Sequence, residues 1–174
     1  MSQLRNCHIR QREAYDCVIA TVAAVANMPY ESVAELAPRK PGKLGLYPRE
    51  VRKLLQNATQ IKWRFPRTVF FRRLRFLCDS EDTVILFIRP PGNVLLQRIT
   101  RKTRHCIFVR GGHVFDPECN DAILAGDYDR IHWIPTTAFY PVDSRTLKEI
   151  QGDNRSRYRK ERFWSEISGG WRTP

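Results

Sequence analysis

Four residues of this 174-residue chain have the types that acyl-transfer chemistry needs: the thiol of Cys17, the imidazole of His105, the carboxylate of Asp116 and the amide of Gln11. Cys17 follows Asp16, a strong helix N-cap residue whose carboxylate is expected to accept a bond from an unpaired amide of the first turn. Residues 17–26 are apolar apart from Thr21, and Asn27-Met28-Pro29 ends the run. A helix apolar on every side is a buried one. Cys17 therefore opens a central helix, where the partial charge of the helix end favours thiolate over thiol. Gln11, six residues earlier, is suited to join the Cys17 backbone N–H in binding an oxyanion. The alternative for this segment alone is a buried structural cysteine, since free Cys is among the most buried residue types.

A nucleophile needs a base. The short apolar runs 106–109 and 114–115 flank Arg110-Gly111-Gly112, which reads as a hairpin turn. Folding the ribbon there brings His105 within a residue or two of facing Asp116, and cross-strand Cβ atoms lie about 5 Å apart. The alternative is an ordinary hairpin with two surface polar residues. His132, next to Trp133, is a rival base with Asp143 eleven residues later. The segment between them carries Pro135 and Pro141 but no tight turn to return Asp143, so His105 is preferred. His8 and His113 have no comparable partner and read as surface polar residues. A zinc site from Cys106, Cys119, His105 and His113 has the wrong spacing for a structural knuckle, so neither metal nor cofactor is expected.

The elements that must position these groups change character along the chain. Residues 31–36 read as a short second helix halted by Pro38, and 39–45 as a basic loop. Pro48 fits the first turn of a third helix reaching about residue 57, with Val51, Leu54 and Leu55 facing inward. After that come an expected strand at 61–65, a helical pattern at 68–78, a central strand at 83–88, an extended stretch at 94–99, the hairpin, and a last strand at about 131–134. The fold class is α+β: a helical half packed on an antiparallel sheet, with the active site between them.

The order of these signals resembles the papain-like cysteine peptidases, closest to the compact domains that process bacteriocin leader peptides at double-glycine sites. The residues that carry the likeness are Gln11, Asp16-Cys17 and Ala20, then residues 29–33 (Pro-Tyr-Glu-Ser-Val), then residues 45–51 (Gly-Leu-Tyr-Pro-Arg-Glu-Val), and finally His105 and Val114-Phe115-Asp116-Pro117. The likeness covers roughly residues 3–135 and implies a papain-like fold with a central nucleophile helix. It implies Cys17 as nucleophile, His105 as its base, Asp116 as the residue that orients His105, and Gln11 in the oxyanion hole. Cleavage after a small residue such as Gly is the activity it favours. An amine acceptor would make the same chemistry transpeptidation, and a Gln side chain as substrate would make it deamidation. Val18 departs from the Gly these domains commonly carry after the nucleophile, and the interval from His to Asp is short.

Length fits one domain plus an extension: a catalytic domain over 1–143 and a basic extension over 144–174, read as a short helix and a mobile end. No run of 18 apolar residues suggests a membrane span, and the first residues lack a signal-like apolar region. The five cysteines are odd in number without CxxC spacing, which suits a reducing, cytoplasmic setting. Thirty Lys and Arg against eighteen Asp and Glu give +12, with six basic residues and no acid in 61–75. Such charge favours an acidic polypeptide substrate or a solvated surface. The competing reading, an inactive papain-like scaffold binding nucleic acid through basic and aromatic residues of the tail, has no accompanying nucleic-acid motif and is not favoured. Oligomeric state is not legible in the sequence.

Overall fold

The computed structural model describes residues 8–42, 45–64, 77, 82–91 and 104–142. Three helices come first: α1 (Cys17–Ala26), α2 (Tyr30–Leu36) and α3 (Pro48–Thr59). Every residue of α1 from Val18 to Ala24 is buried, as an all-round apolar helix requires. Asn27 closes it in the left-handed conformation at φ 52°, its N–H returning to the carbonyls of Ala23 and Ala24. In α3, Pro48 fills the first turn, and Glu50 Oε2 accepts from the Tyr47 N–H at 2.6 Å. Val51, Leu54 and Leu55 are its buried face.

The strands are β1 (Trp63–Arg64), β2 (Val84–Arg89), β3 (His105–Arg110), β4 (His113–Phe115), β5 (Ile123–Leu124) and β6 (Ile134–Pro141), with a 3₁₀ turn at Ala125–Asp127 after β5. They form one sheet in the order β1-β6-β2-β3-β4-β5, every described pairing antiparallel. Side chains alternate across it. Ile85, Phe87, Cys106, Phe108, Phe115 and Phe139 pack with the helices, whereas Leu86, Ile88, Ile107, Val109, Val114 and Ala138 belong to a second core with Leu77 and Tyr128. The β3–β4 turn uses Gly111 and Gly112 at φ 55° and 74°, the positive values that a two-residue hairpin turn demands.

Two expectations need correction. The last strand does not span 131–134: residues 129–132 are a turn, and the strand runs from Ile134 to Pro141. Its two prolines sit where a missing N–H is tolerated. Pro135 pairs with Ile88 at the irregularity in the β2–β6 ladder, and Pro141 ends the strand opposite Trp63. Asp16 occupies the N-cap position of α1, but its side chain makes no cap bond. Instead its Oδ2 turns back to accept from the N–H groups of Arg12 and Glu13 at 3.0 and 3.1 Å and from the Tyr30 hydroxyl at 2.5 Å. The expected helix at 68–78 (Leu77 apart, which is helical), the stretch at 94–99, Asp143 and the extension over 144–174 lie outside the described residues. Among the described residues no single helix is long and apolar enough to cross a membrane.

Candidate active site

The candidate residues stand at element ends. Cys17 is the first residue of α1, His105 the first of β3, and Asp116 follows the last residue of β4. In the hairpin register Phe108 faces Phe115 and Arg110 faces His113. Asp116 thus falls diagonally across from His105, close enough for the side chains to meet. The His105 Nε2–H donates to Asp116 Oδ1 at 2.6 Å, a short charge-assisted bond. The Cys17 side chain lies near enough to the same imidazole to raise its pKa along with Asp116. With Nε2 taken by Asp116, the nitrogen left for Cys17 is Nδ1.

Electrostatics follow from burial and partners. His105 is 7% exposed and Asp116 fully buried. Burial opposes a charged imidazole, but the bonds and charges of Asp116 and Cys17 outweigh it and raise His105 to about 9. Asp116 is pushed the other way: burial opposes its charge, and His105, the Glu118 amide and the Tyr128 hydroxyl hold it down at about 2. At neutral pH the pair is therefore an imidazolium on a carboxylate. The first-turn amides of α1 have no acceptor inside the helix, so the Cys17 N–H is available to a developing oxyanion.

Gln11 is half-buried, and its backbone N–H donates to the carbonyl of Pro117 at 3.0 Å. That bond ties the loop before α1 to the residue after Asp116. His8 belongs to the same seam, contrary to its reading as a surface residue. Its Nε2–H donates to the Asp116 carbonyl at 2.9 Å and its ring stacks on Phe115. His113 is half-buried and bonds within its own turn, to the carbonyl of Gly111 at 2.9 Å. His132, the rival base, is exposed in the turn before β6.

Sequence reasoning missed the groups behind Asp116. Tyr128 donates its hydroxyl to Oδ2 at 2.7 Å, and Arg130 Nη1 donates to the same oxygen at 3.1 Å. Arg130 Nη2 also reaches Glu118 Oε2 at 2.6 Å. A signal for this existed: the acidic residues 116 and 118 need a cation, and Arg130 is the sole Lys or Arg from residue 111 to residue 144. His105, Asp116 and Glu118 lie close enough to share a metal ion. However, both Asp116 oxygens already carry two donors each, and Arg130 stands where a cation would have to compete. Cys17, Cys106 and Cys119 are free thiols. Cys106 is fully buried, and burial followed by the charge of Cys17 pushes its thiol up, which makes it an inert packing residue.

In fold the chain is similar to the peptidase domain of Streptococcus ComA, a bi-functional ABC transporter involved in a quorum-sensing pathway. The TM-score is 0.52 with 16% identity, over 79% of this chain and 97% of that one. At that identity the likeness establishes the fold, an α+β arrangement shared with a peptidase domain. No protein-family model matches the sequence, and no curated protein matches it by sequence.

Proposed function

We propose that the protein is a cysteine peptidase acting by acyl transfer. Cys17 is its nucleophile, His105 its base, Asp116 the residue that orients His105, and Gln11 with the Cys17 N–H its oxyanion donors. The observation that carries this reading is one buried imidazole between two groups: a buried carboxylate at 2.6 Å from Nε2, and the thiol of the first residue of α1, near enough to act on the same ring. The Cys17 thiolate attacks the substrate carbonyl, and the Nδ1–H of the imidazolium gives its proton to the leaving amine. Water then gives a proton to the neutral Nδ1 as its oxygen attacks the thioester, which releases the acid and the thiol. The fold likeness to a peptidase domain supports a polypeptide substrate. Cleavage after a small residue such as Gly, a preference for acidic segments, a catalytic unit over 1–143 and work in a reducing compartment complete the proposal.

An unbiased peptide-library digest tests it. Turnover should fall at least ~1,000-fold in Cys17→Ala, and a thiol-directed electrophile should label Cys17 ahead of Cys106 and Cys119. An active preparation indifferent to both would remove Cys17 from the mechanism. Labelling of His132→Ala should match the parent, whereas His105→Ala should label more slowly; the reverse pattern would transfer the role of base to His132.

A further inference from the structure

Two carboxylates approach the His105 ring, one toward each nitrogen. Asp116 Oδ1 takes the Nε2–H at 2.6 Å. Glu118 Oε1 stands 3.8 Å from Nδ1, an ion-pair separation too long for a hydrogen bond. Nδ1 is the nitrogen that must serve Cys17, so a Glu118 carboxylate that closed the remaining ångström would take the proton meant for the leaving group. One side chain is bonded to both acids. Arg130 donates through Nη1 to Asp116 Oδ2 at 3.1 Å and through Nη2 to Glu118 Oε2 at 2.6 Å. Its guanidinium also lies 5.0 Å over the Trp133 ring, which fixes the direction of the fork.

We infer that Arg130 is a positioning residue that assigns the two acids their places, keeping Asp116 on Nε2 and holding Glu118 off Nδ1. This rests on the peptidase reading for the meaning of Nδ1. Tyr128 cannot replace Arg130 in this, because its hydroxyl reaches Asp116 alone among the two acids. Asp116 also keeps its Glu118 amide contact, 2.9 Å from Oδ1, so loss of Arg130 leaves Asp116 three donors but leaves the Glu118 side chain without its cation. The harm from losing Arg130 therefore comes through Glu118.

A double-mutant cycle reads this directly, with kcat/KM on a library-derived peptide and the pH profile of Cys17 alkylation by iodoacetamide measured in parallel. R130Q should lower both kcat/KM and neutral-pH alkylation about tenfold in the parent, but no more than about twofold in the E118Q background. An equal loss in both backgrounds overturns the inference, whether it comes from misfolding or from a direct effect on Asp116. If the parent cleaves no peptide, the peptidase reading fails, and the alkylation arm still decides the role of Arg130 in presenting His105 to Cys17.

Discussion

The loop before α1 and the loop after β4 each bury one aspartate, and the two carboxylates are bonded differently. Asp116 has two donors on each oxygen: His105 and the Glu118 amide on Oδ1, Tyr128 and Arg130 on Oδ2. Asp16 gathers the amides of Arg12 and Glu13 and the Tyr30 hydroxyl on Oδ2, while its buried Oδ1 has no hydrogen-bond partner among the described residues. The donors differ in kind. Asp16 is held by neutral groups, which fold a loop around it. Asp116 is held in part by an imidazole and a guanidinium, so its charge is coupled to the group proposed as the base. Proximity to Cys17 in sequence does not make a carboxylate part of the chemistry; the identity of its donors does.

The largest break in that contrast comes from removing Asp116. Asp116→Ala should lower kcat/KM by about tenfold to a hundredfold, less than the loss in Cys17→Ala, because the proposed nucleophile and base remain. His105, now raised to about 9, should titrate lower in the variant, as followed by NMR of the ring. The sign for stability follows. A histidine raised on folding stabilises fully below its ordinary value near 6.5 and loses that contribution as pH rises through about 9. Parent stability should therefore fall over that alkaline window, and Asp116→Ala should flatten the fall. A His105 titration unchanged by the substitution would show that the 2.6 Å bond is not what holds the proton.

Asp16 should behave in the opposite way. Asp16→Ala strips three donors of their acceptor and should cost about 2 kcal/mol in thermal or denaturant unfolding, with the His105 titration unmoved. Asp16→Asn keeps an acceptor for the same donors and replaces a buried oxygen that has no described partner, so it should cost less than half as much. If Asp16→Asn were the more damaging of the two, the charge of Asp16 would matter and the contrast would collapse.

What the sequence made legible was whatever depends on short range. The apolar run 17–26 became α1, Pro48 began α3, and Gly111-Gly112 made the turn that brings His105 to Asp116. The pair could be read because only one tight turn separates its members. Direction of a side chain was harder. Asp16 had amides both ahead and behind, and the Tyr30 hydroxyl, fourteen residues on, belongs to the backward choice. Arg130 and Tyr128 meet Asp116 only after β5, a 3₁₀ turn and a second turn, a path that no periodicity describes. Strand β6 was obscured because prolines count against a strand until a ladder irregularity and a strand end are known to receive them.

The finest test uses the one contact that both regions share, a phenol on an aspartate oxygen. Tyr30 meets Asp16 at 2.5 Å and Tyr128 meets Asp116 at 2.7 Å. Burial first, and then the adjacent carboxylate, pushes both phenols far above their ordinary range, so each still donates its proton while His105 titrates. Tyr30→Phe and Tyr128→Phe should each cost about 1 kcal/mol of stability, the net worth of one such bond. Only Tyr128→Phe should reach His105. Without that donor the Asp116 carboxylate keeps more of its charge for the imidazolium, and His105 should titrate higher by a fraction of a pH unit. Tyr30→Phe should leave the ring resonances where the parent has them. An equal shift from both variants would join the two loops into one network, and the distinction between a carboxylate that folds a loop and one that holds an imidazolium would be lost.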